Sequence, residues 1–278
     1  MKNRIAISLG SSFLGFATHA GFMARLHSLG VRPVAVGGSS AGAIAAGLYA
    51  SGLPQEEIRK TVLAHRFRRS FVRRTPWLTH YLRNTFNGQG VGAFKTDGAI
   101  AYLENVLGKR DIESLPGPRF MAAVSNLETC STHFITSGPL APAMIASCCI
   151  PTVFAPVTHQ GMVCFDGGVA HEAPIDPWLD DDDIDLIVMH RVTHTEAPAP
   201  RLFPFNFFHL ASKAHECASE QLQEYRIRLA AHHGKKVLVT RTVHSRPVTF
   251  SGREMPNYYA AGEAQAQNLY DTQLKDLL

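Results

Sequence analysis

The stretch that decides the fold is Val34-Ala-Val-Gly-Gly-Ser-Ser-Ala-Gly-Ala-Ile-Ala-Ala-Gly-Leu-Tyr-Ala-Ser-Gly52. It opens apolar and β-leaning directly after Pro33, passes through Gly37–Gly42, and continues with Ala, Ile, Leu and Tyr to Gly52. That order predicts strand, tight turn and helix, with Gly52 ending the helix in the left-handed region a Cβ disfavours. Inside the turn, Gly38, Ser40 and Gly42 spell G-x-S-x-G. A serine at such an elbow is pushed out of the strand onto a helix N-terminus, and its small neighbours let substrate approach. The same pattern also serves as a plain Gly/Ser turn. The nucleophile reading therefore depends on what the rest of the chain supplies.

A serine hydroxyl is a poor nucleophile without a base, and its tetrahedral intermediate needs oxyanion donors. Two kinds of base are open. Among 14 histidines, His19, His171 and His190 fall near predicted strand ends and would allow a Ser–His–Asp triad. Ser40 comes early for that arrangement, after only the second strand. Asp166 is the other base: it ends the apolar run Val163–Phe165 and is followed by Gly167 and Gly168. A free aspartate is a weak base, and desolvation beside an apolar pocket strengthens it. For donors, the short apolar run Ile5–Leu9 predicts a buried strand leading into Gly10-Ser-Ser-Phe-Leu-Gly15. His19, Phe22, Met23, Leu26 and Leu29 then follow at helical spacing up to Gly30. Amides at such a loop suit an oxyanion or a phosphate. The loop is neither a Walker loop, lacking Gly-Lys-Ser/Thr, nor a dinucleotide fingerprint, whose glycine spacing differs.

The 278 residues, 45% hydrophobic and 18% charged, suit one large α/β domain. A net charge of +4 does not suggest nucleic acid and is compatible with an anionic lipid surface. Five cysteines, with no zinc-type spacing, read as reduced thiols of a cytoplasmic protein, and no metal or cofactor is expected. Lys2 and Arg4 precede an apolar stretch, but Gly10, Ser11, Ser12 and Gly15 interrupt it, so the N-terminus reads as a mature strand rather than a signal peptide. No run is long enough to span a bilayer.

Further elements follow in order. Pro54 starts a helix to about Ala64. His65–Arg74 carries five arginines among Phe67, Phe71 and Val72. It reads as a surface helix with a solvated arginine face or as a basic segment touching lipid headgroups. Thr96–Leu107 is a helix stopped by Gly108, Phe120–Val124 and His133–Thr136 are strands, and Pro142–Ser147 is a short helix. Leu186–Met189 is a buried strand and Asp180–Asp183 a solvated acidic run. Ala197–Leu210, rich in Pro and Phe, reads as a non-helical loop. Ser212–His233 is a long helix, Lys236–Thr240 a late strand and Gly262–Leu278 a terminal helix. The segments Trp77–Phe86 and Leu202–Phe208 are candidates for an acyl pocket or interfacial face.

Three segments together resemble the bacterial patatin-like phospholipases, serine lipid acyl hydrolases with a Ser–Asp dyad. Gly10–Gly15 is similar to the family's G-G-G-x-Arg/Lys-Gly loop, Val36–Gly52 to its nucleophile elbow, and Ala146–Pro174 to its block A-S-x-x-I-P-x-x-F-x-P-V…D-G-G-V…P. The resemblance implies one patatin-like α/β domain over 1–278: a three-layer α/β/α arrangement with a mainly parallel central sheet. It places the motif-bearing core at about 5–190 and a periphery at 191–278. It implies Ser40 as nucleophile, Asp166 as base, the backbone of Gly10, Ser11 and Ser12 as oxyanion hole, and Gly15, Gly38, Gly42, Gly167 and Gly168 as motif glycines. The implied substrate is a lipid or other acyl ester, with peripheral membrane contact. The loop departs at Ser11 and Ser12, and Leu14 stands where the family has a cation. A soluble-substrate esterase or thioesterase, and a catalytically impaired binding protein, stand as alternatives.

Overall fold

The computed structural model of the chain describes residues 3–72, 92–195, 205–245 and 252–278. In chain order the strands are β1 (Ile5–Leu9), β2 (Ala35–Ser39), β3 (Gly92–Phe94), β4 (Arg119–Asn126), β5 (Ser131–Ile135), β6 (Thr152–Phe154), β7 (Val157–His159), β8 (Met162–Asp166), β9 (Leu186–His194) and β10 (Lys236–His244). The α-helices are α1 (Phe16–Ser28), α2 (Ala41–Ala50), α3 (Gln55–Leu63), α4 (His65–Ser70), α5 (Asp97–Leu107), α6 (Leu140–Ala146), α7 (Phe205–His232) and α8 (Met255–Leu269).

Short apolar runs that are buried on both faces make the sheet. β10-β9-β1-β2-β4 are successive parallel neighbours. β5, β8 and β7 extend the sheet antiparallel. Alternate residues face opposite cores. Ile5, Ile7, Leu9, Val36 and Val188 join the larger core, together with buried residues of α1, α2, α5, α6 and α8. Ala6, Ala35, Met121, Ile187 and Met189 face a smaller one with Trp178, Ile184 and Ala230 of α7. The result is the expected three-layer α/β/α fold with a mainly parallel sheet.

The C-terminal third departs from expectation in three ways. α7 begins at Phe205, seven residues ahead of the predicted start, because from Phe205 to His232 the sequence holds no proline to break a helix. α8 begins at Met255, so Gly262 lies inside it. A Cβ on Gly262 would run into the Thr18 carbonyl, and one on Gly21 into the Tyr259 carbonyl; the two glycines let α1 and α8 cross backbone to backbone. Finally, the late strand runs to His244, past its expected end at Thr240: β10 pairs with β9 over nine positions, Lys236–His244, and Tyr258, Ala266 and Leu269 of α8 are part of the larger core.

Candidate active site

Register alone brings the expected nucleophile and base together. β2 pairs with β4 as far as Ser39 opposite Ala123. β5 holds the other edge of β4 over Ala122–Asn126. The next position, Val124, pairs with Asp166. Since β5 already occupies one edge there, β8 takes the edge that β2 has just left. Ser40 therefore steps off β2 at the point where Asp166 steps off β8. A Cβ on Gly167 would collide with the Ala123 carbonyl and lie 3.0 Å from Ser39 Oγ, which records how tightly the two strand ends abut.

The elbow itself is forced by sterics. Ser40 sits at φ 53°, ψ −120° as the residue before α2, a conformation that costs a non-glycine residue on the order of 1–3 kcal/mol. A Cβ on Gly38 would enter the Gly42 backbone, and one on Gly42 would enter the Leu9 carbonyl. Both glycines are thus needed for close backbone approach, and the strained turn is held from outside. The Ser40 amide donates to Ser147 Oγ at 2.8 Å, and that hydroxyl donates to the Ala123 carbonyl at 2.5 Å. Ser39 Oγ donates to the His171 carbonyl at 2.5 Å. Ser147 was present in the A-S-x-x-I-P block but carried no role in the sequence reading. Its anchoring of Ser40 across more than a hundred residues has no local signature.

Ser40 is 7% exposed and Asp166 4%. Gly168 N donates to Asp166 Oδ1 at 2.7 Å. The Ser40 hydroxyl lies against the carboxylate and favours its charged form, yet Oδ2 is buried without a well-formed hydrogen bond. Burial raises the Asp166 pKa to about 6, with Ser40 and Gly168 opposing. A carboxylate so placed is mostly ionised at neutral pH and a far better base than a free one.

The loop at Gly10–Gly15 departs from part of the expected donor set. The Gly10 amide donates to the His190 carbonyl at 2.9 Å, because β1 continues its pairing with β9 past its last residue, and the Ser11 amide donates to the Glu172 carbonyl at 2.8 Å. Both are committed. The Ser12 amide makes no hydrogen bond to the described residues. The Ala41 amide, in the first turn of α2, is likewise without an intrahelical partner. Leu14, at φ 56°, points its side chain into a small cavity beside Ser40 instead of supplying a charge. That cavity, about 40 Å³, is lined by Ser12, Phe13, Leu14, Phe16, Ser40, Ala41, Ile44, Phe71, Cys148, Ile150 and Phe154.

The three candidate histidines are engaged elsewhere. His19 and His190 bond each other, Nδ1 to Nδ1, at 3.0 Å. His171 Nε2 lies 3.0 Å from Asp176 Oδ2. The cysteines are free thiols, with Cys148, Cys149 and Cys164 buried. Phe67 and Phe71 of the arginine-rich segment are in the core, and Arg68 is buried with its guanidinium on the Leu63 carbonyl at 2.8 Å. Arg66 and Arg69 are exposed. Trp77–Phe86 and the side chains of Leu202–Phe208 lie outside the described residues. No group of three metal-ligating side chains occurs among the described residues, and no described helix is long and apolar enough to cross a membrane.

A strained serine elbow, a buried carboxylate at the adjoining strand end and the unpaired amides of Ser12 and Ala41 thus stand together on a three-layer fold. A family model of patatin-like phospholipases matches residues 7–179. The chain belongs to the patatin-like phospholipase family, a group of lipid ester hydrolases. It is 29% identical over 174 residues, 63% of its length, to uncharacterized NTE family proteins of Mycobacterium bovis and Mycobacterium tuberculosis. The chain spans less than half of those relatives, 45% of their length. Among solved structures it resembles VipD from Legionella pneumophila (TM-score 0.56, 15% identity, 98% of this chain and 67% of that one). It also resembles human GIVD cytosolic phospholipase A2 in complex with methyl gamma-linolenyl fluorophosphonate and terbium chloride (TM-score 0.55, 10% identity, 99% of this chain and 59% of that one). At these identities the structural likeness speaks for the fold.

Proposed function

We propose that the chain hydrolyses carboxylic esters of lipids through a Ser40–Asp166 dyad and an acyl-enzyme. Asp166 takes the Ser40 proton as Ser40 Oγ attacks the ester carbonyl. The oxyanion is received by the amides of Ser12 and Ala41. Asp166 then passes its proton to the departing alcohol, leaving the acyl group on Ser40. In the second half a water gives its proton to Asp166 and attacks the acyl carbonyl, and the acid leaves as Ser40 regains that proton. The observation that carries this reading is the exchange of β2 for β8 on one edge of β4, which joins the Ser40 and Asp166 strand ends.

Membrane contact belongs to the same proposal in an electrostatic form. Exposed Arg66 and Arg69 can meet anionic headgroups, whereas Phe67 and Phe71 are buried and do not enter the bilayer. A soluble short-chain ester is the second reading, favoured by Leu14 at the usual cation position and by the 40 Å³ cavity, room for only two or three waters. Turnover of p-nitrophenyl butyrate against micellar phosphatidylcholine separates them. Faster turnover of the micellar lipid supports the first reading, faster turnover of the monomeric ester the second, and turnover of neither overturns both.

A further inference from the structure

His19 and His190 stand behind the oxyanion loop, fully buried, and take no part in the dyad. Their hydrogen bonds fix every proton. His19 Nε2 lies 2.9 Å from the Gly10 carbonyl. A carbonyl only accepts, so Nε2 carries the hydrogen. Burial lowers the His19 pKa to about 3, against the Gly10 carbonyl's opposing pull, and holds His190 well below its ordinary value. Both rings are therefore neutral. His19 Nδ1 is then an acceptor, and the 3.0 Å contact requires His190 Nδ1 to donate. His190 Nε2 is left as the acceptor for Thr242 Oγ1 at 2.8 Å. The chain runs one way, from Thr242 through His190 and His19 to the Gly10 oxygen. Phe22 stacks on His190 at 3.9 Å between centroids and holds the second ring in place.

The Gly10 carbonyl and the Ser11 amide belong to one planar peptide unit and point to opposite sides of it. His19 holds the oxygen; the Glu172 carbonyl holds the N–H at 2.8 Å. Glu172 is itself gripped by the buried Arg191, whose Nε donates to Oε1 at 2.9 Å. The peptide is thus pinned at both ends, and the next amide along, one residue's dihedrals away, is Ser12. Where Ser11 and Ser12 replace glycine, the loop's aim is set by these outside bonds.

We infer that His19 is a positioning residue for ester hydrolysis: its Nε2–H pins the Gly10–Ser11 peptide so that the Ser12 amide faces the oxyanion formed at Ser40. The inference rests on the acyl-hydrolase reading above.

Two variants and one spectroscopic measurement on the full chain test it. In H19L the pin is lost, and kcat for p-nitrophenyl butyrate falls about tenfold or more with KM within about twofold, a fraction of the roughly 100-fold or greater loss on deleting an oxyanion donor outright. In H19Q the side-chain amide nitrogen replaces Nε2–H, and most of kcat returns. Nitrogen-15 NMR of the wild type shows His19 protonated at Nε2 and His190 at Nδ1, which tests the pin even if H19L fails to fold. An unchanged kcat in folded H19L, a loss that H19Q does not repair, or the opposite tautomers would overturn the inference. A wild type that neither turns over ester nor takes a fluorophosphonate at Ser40 fails the acyl-hydrolase reading itself, and this role with it. Activity in the wild type with an indifferent H19L fails the positioning role alone.

Discussion

The elbow at Gly38–Gly42 and the loop at Gly10–Gly15 are neighbours that reach rigidity by different means. At the elbow a missing Cβ is required by backbone: Gly38 abuts Gly42, and Gly42 abuts the Leu9 carbonyl. At the loop the crowding is between side chains. A Cβ on Gly168 would meet the Ser11 side chain, and one on Gly15 would meet Ser12 Oγ. The loop carries serines at 11 and 12, with glycine at the positions those serines press on. Its peptide is then held by a hydrogen bond from His19 and by one to the Glu172 carbonyl. Backbone collisions have no escape, whereas a side chain can be traded with its neighbour. The elbow should therefore tolerate almost nothing, and the loop should tolerate paired changes.

The largest effect is expected at the dyad. S40A should lower kcat/KM for p-nitrophenyl butyrate by about 10⁴-fold or more, and D166N by about 10³- to 10⁴-fold, as nucleophile and base losses do elsewhere. Next comes G42A. Its Cβ meets the Leu9 and Gly10 carbonyls, and about 3 kcal/mol of stability should be lost in a denaturant titration. A loss as small as that of an exposed Gly→Ala change would break the contrast between elbow and loop.

D166N should also stabilise the fold, and the sign follows from the raised pKa. The folded state holds the Asp166 proton up to about pH 6, whereas the unfolded chain releases it near the ordinary carboxylate value. The ionised carboxylate thus costs no stability below about pH 4 and its full cost above about pH 6, on the order of 1–3 kcal/mol. Melting curves should show D166N more stable than wild type at pH 8 and indistinguishable at pH 4. S147A removes the acceptor of the Ser40 amide and the donor to Ala123. It should cost roughly 1–3 kcal/mol in a chemical melt, with a fall in kcat of about tenfold.

The smallest expected effect sharpens the comparison most finely. G168A alone should destabilise by about 1–2 kcal/mol, and S11G/G168A should recover at least half of that, a coupling of ordinary size for touching residues. Additive losses in the double mutant would show that the loop is as unforgiving as the elbow.

How much of this was legible follows from how local each feature is. The elbow was, because its strand, turn and helix lie within nineteen consecutive residues, 34–52. Asp166 was legible as an acid at a strand end, but its meeting with Ser40 depends on β8 replacing β2 along β4, a long-range pairing with no local trace. The Gly10 and Ser11 amides were misassigned as oxyanion donors because nothing in the loop shows that β9 and Glu172 would claim them. His19 looked like a triad candidate. Its true partner is 171 residues away, and an isolated histidine on a buried helix face carries no sign of such a partner. Gly262 read as a helix start because glycine usually marks an end; here it marks a helix crossing, which only the position of α1 explains.

The central claim is that a buried Asp166 activates Ser40. The most direct measurement is the rate of fluorophosphonate addition to Ser40, followed by intact mass and peptide mapping from pH 4 to 9, in the wild type and D166N. The account expects label on Ser40, a wild-type rate rising with pH to a plateau with its midpoint near the Asp166 value of about 6, and a D166N rate lower by about 10³-fold or more. Label on another residue, or a D166N rate and pH profile matching the wild type, would contradict it.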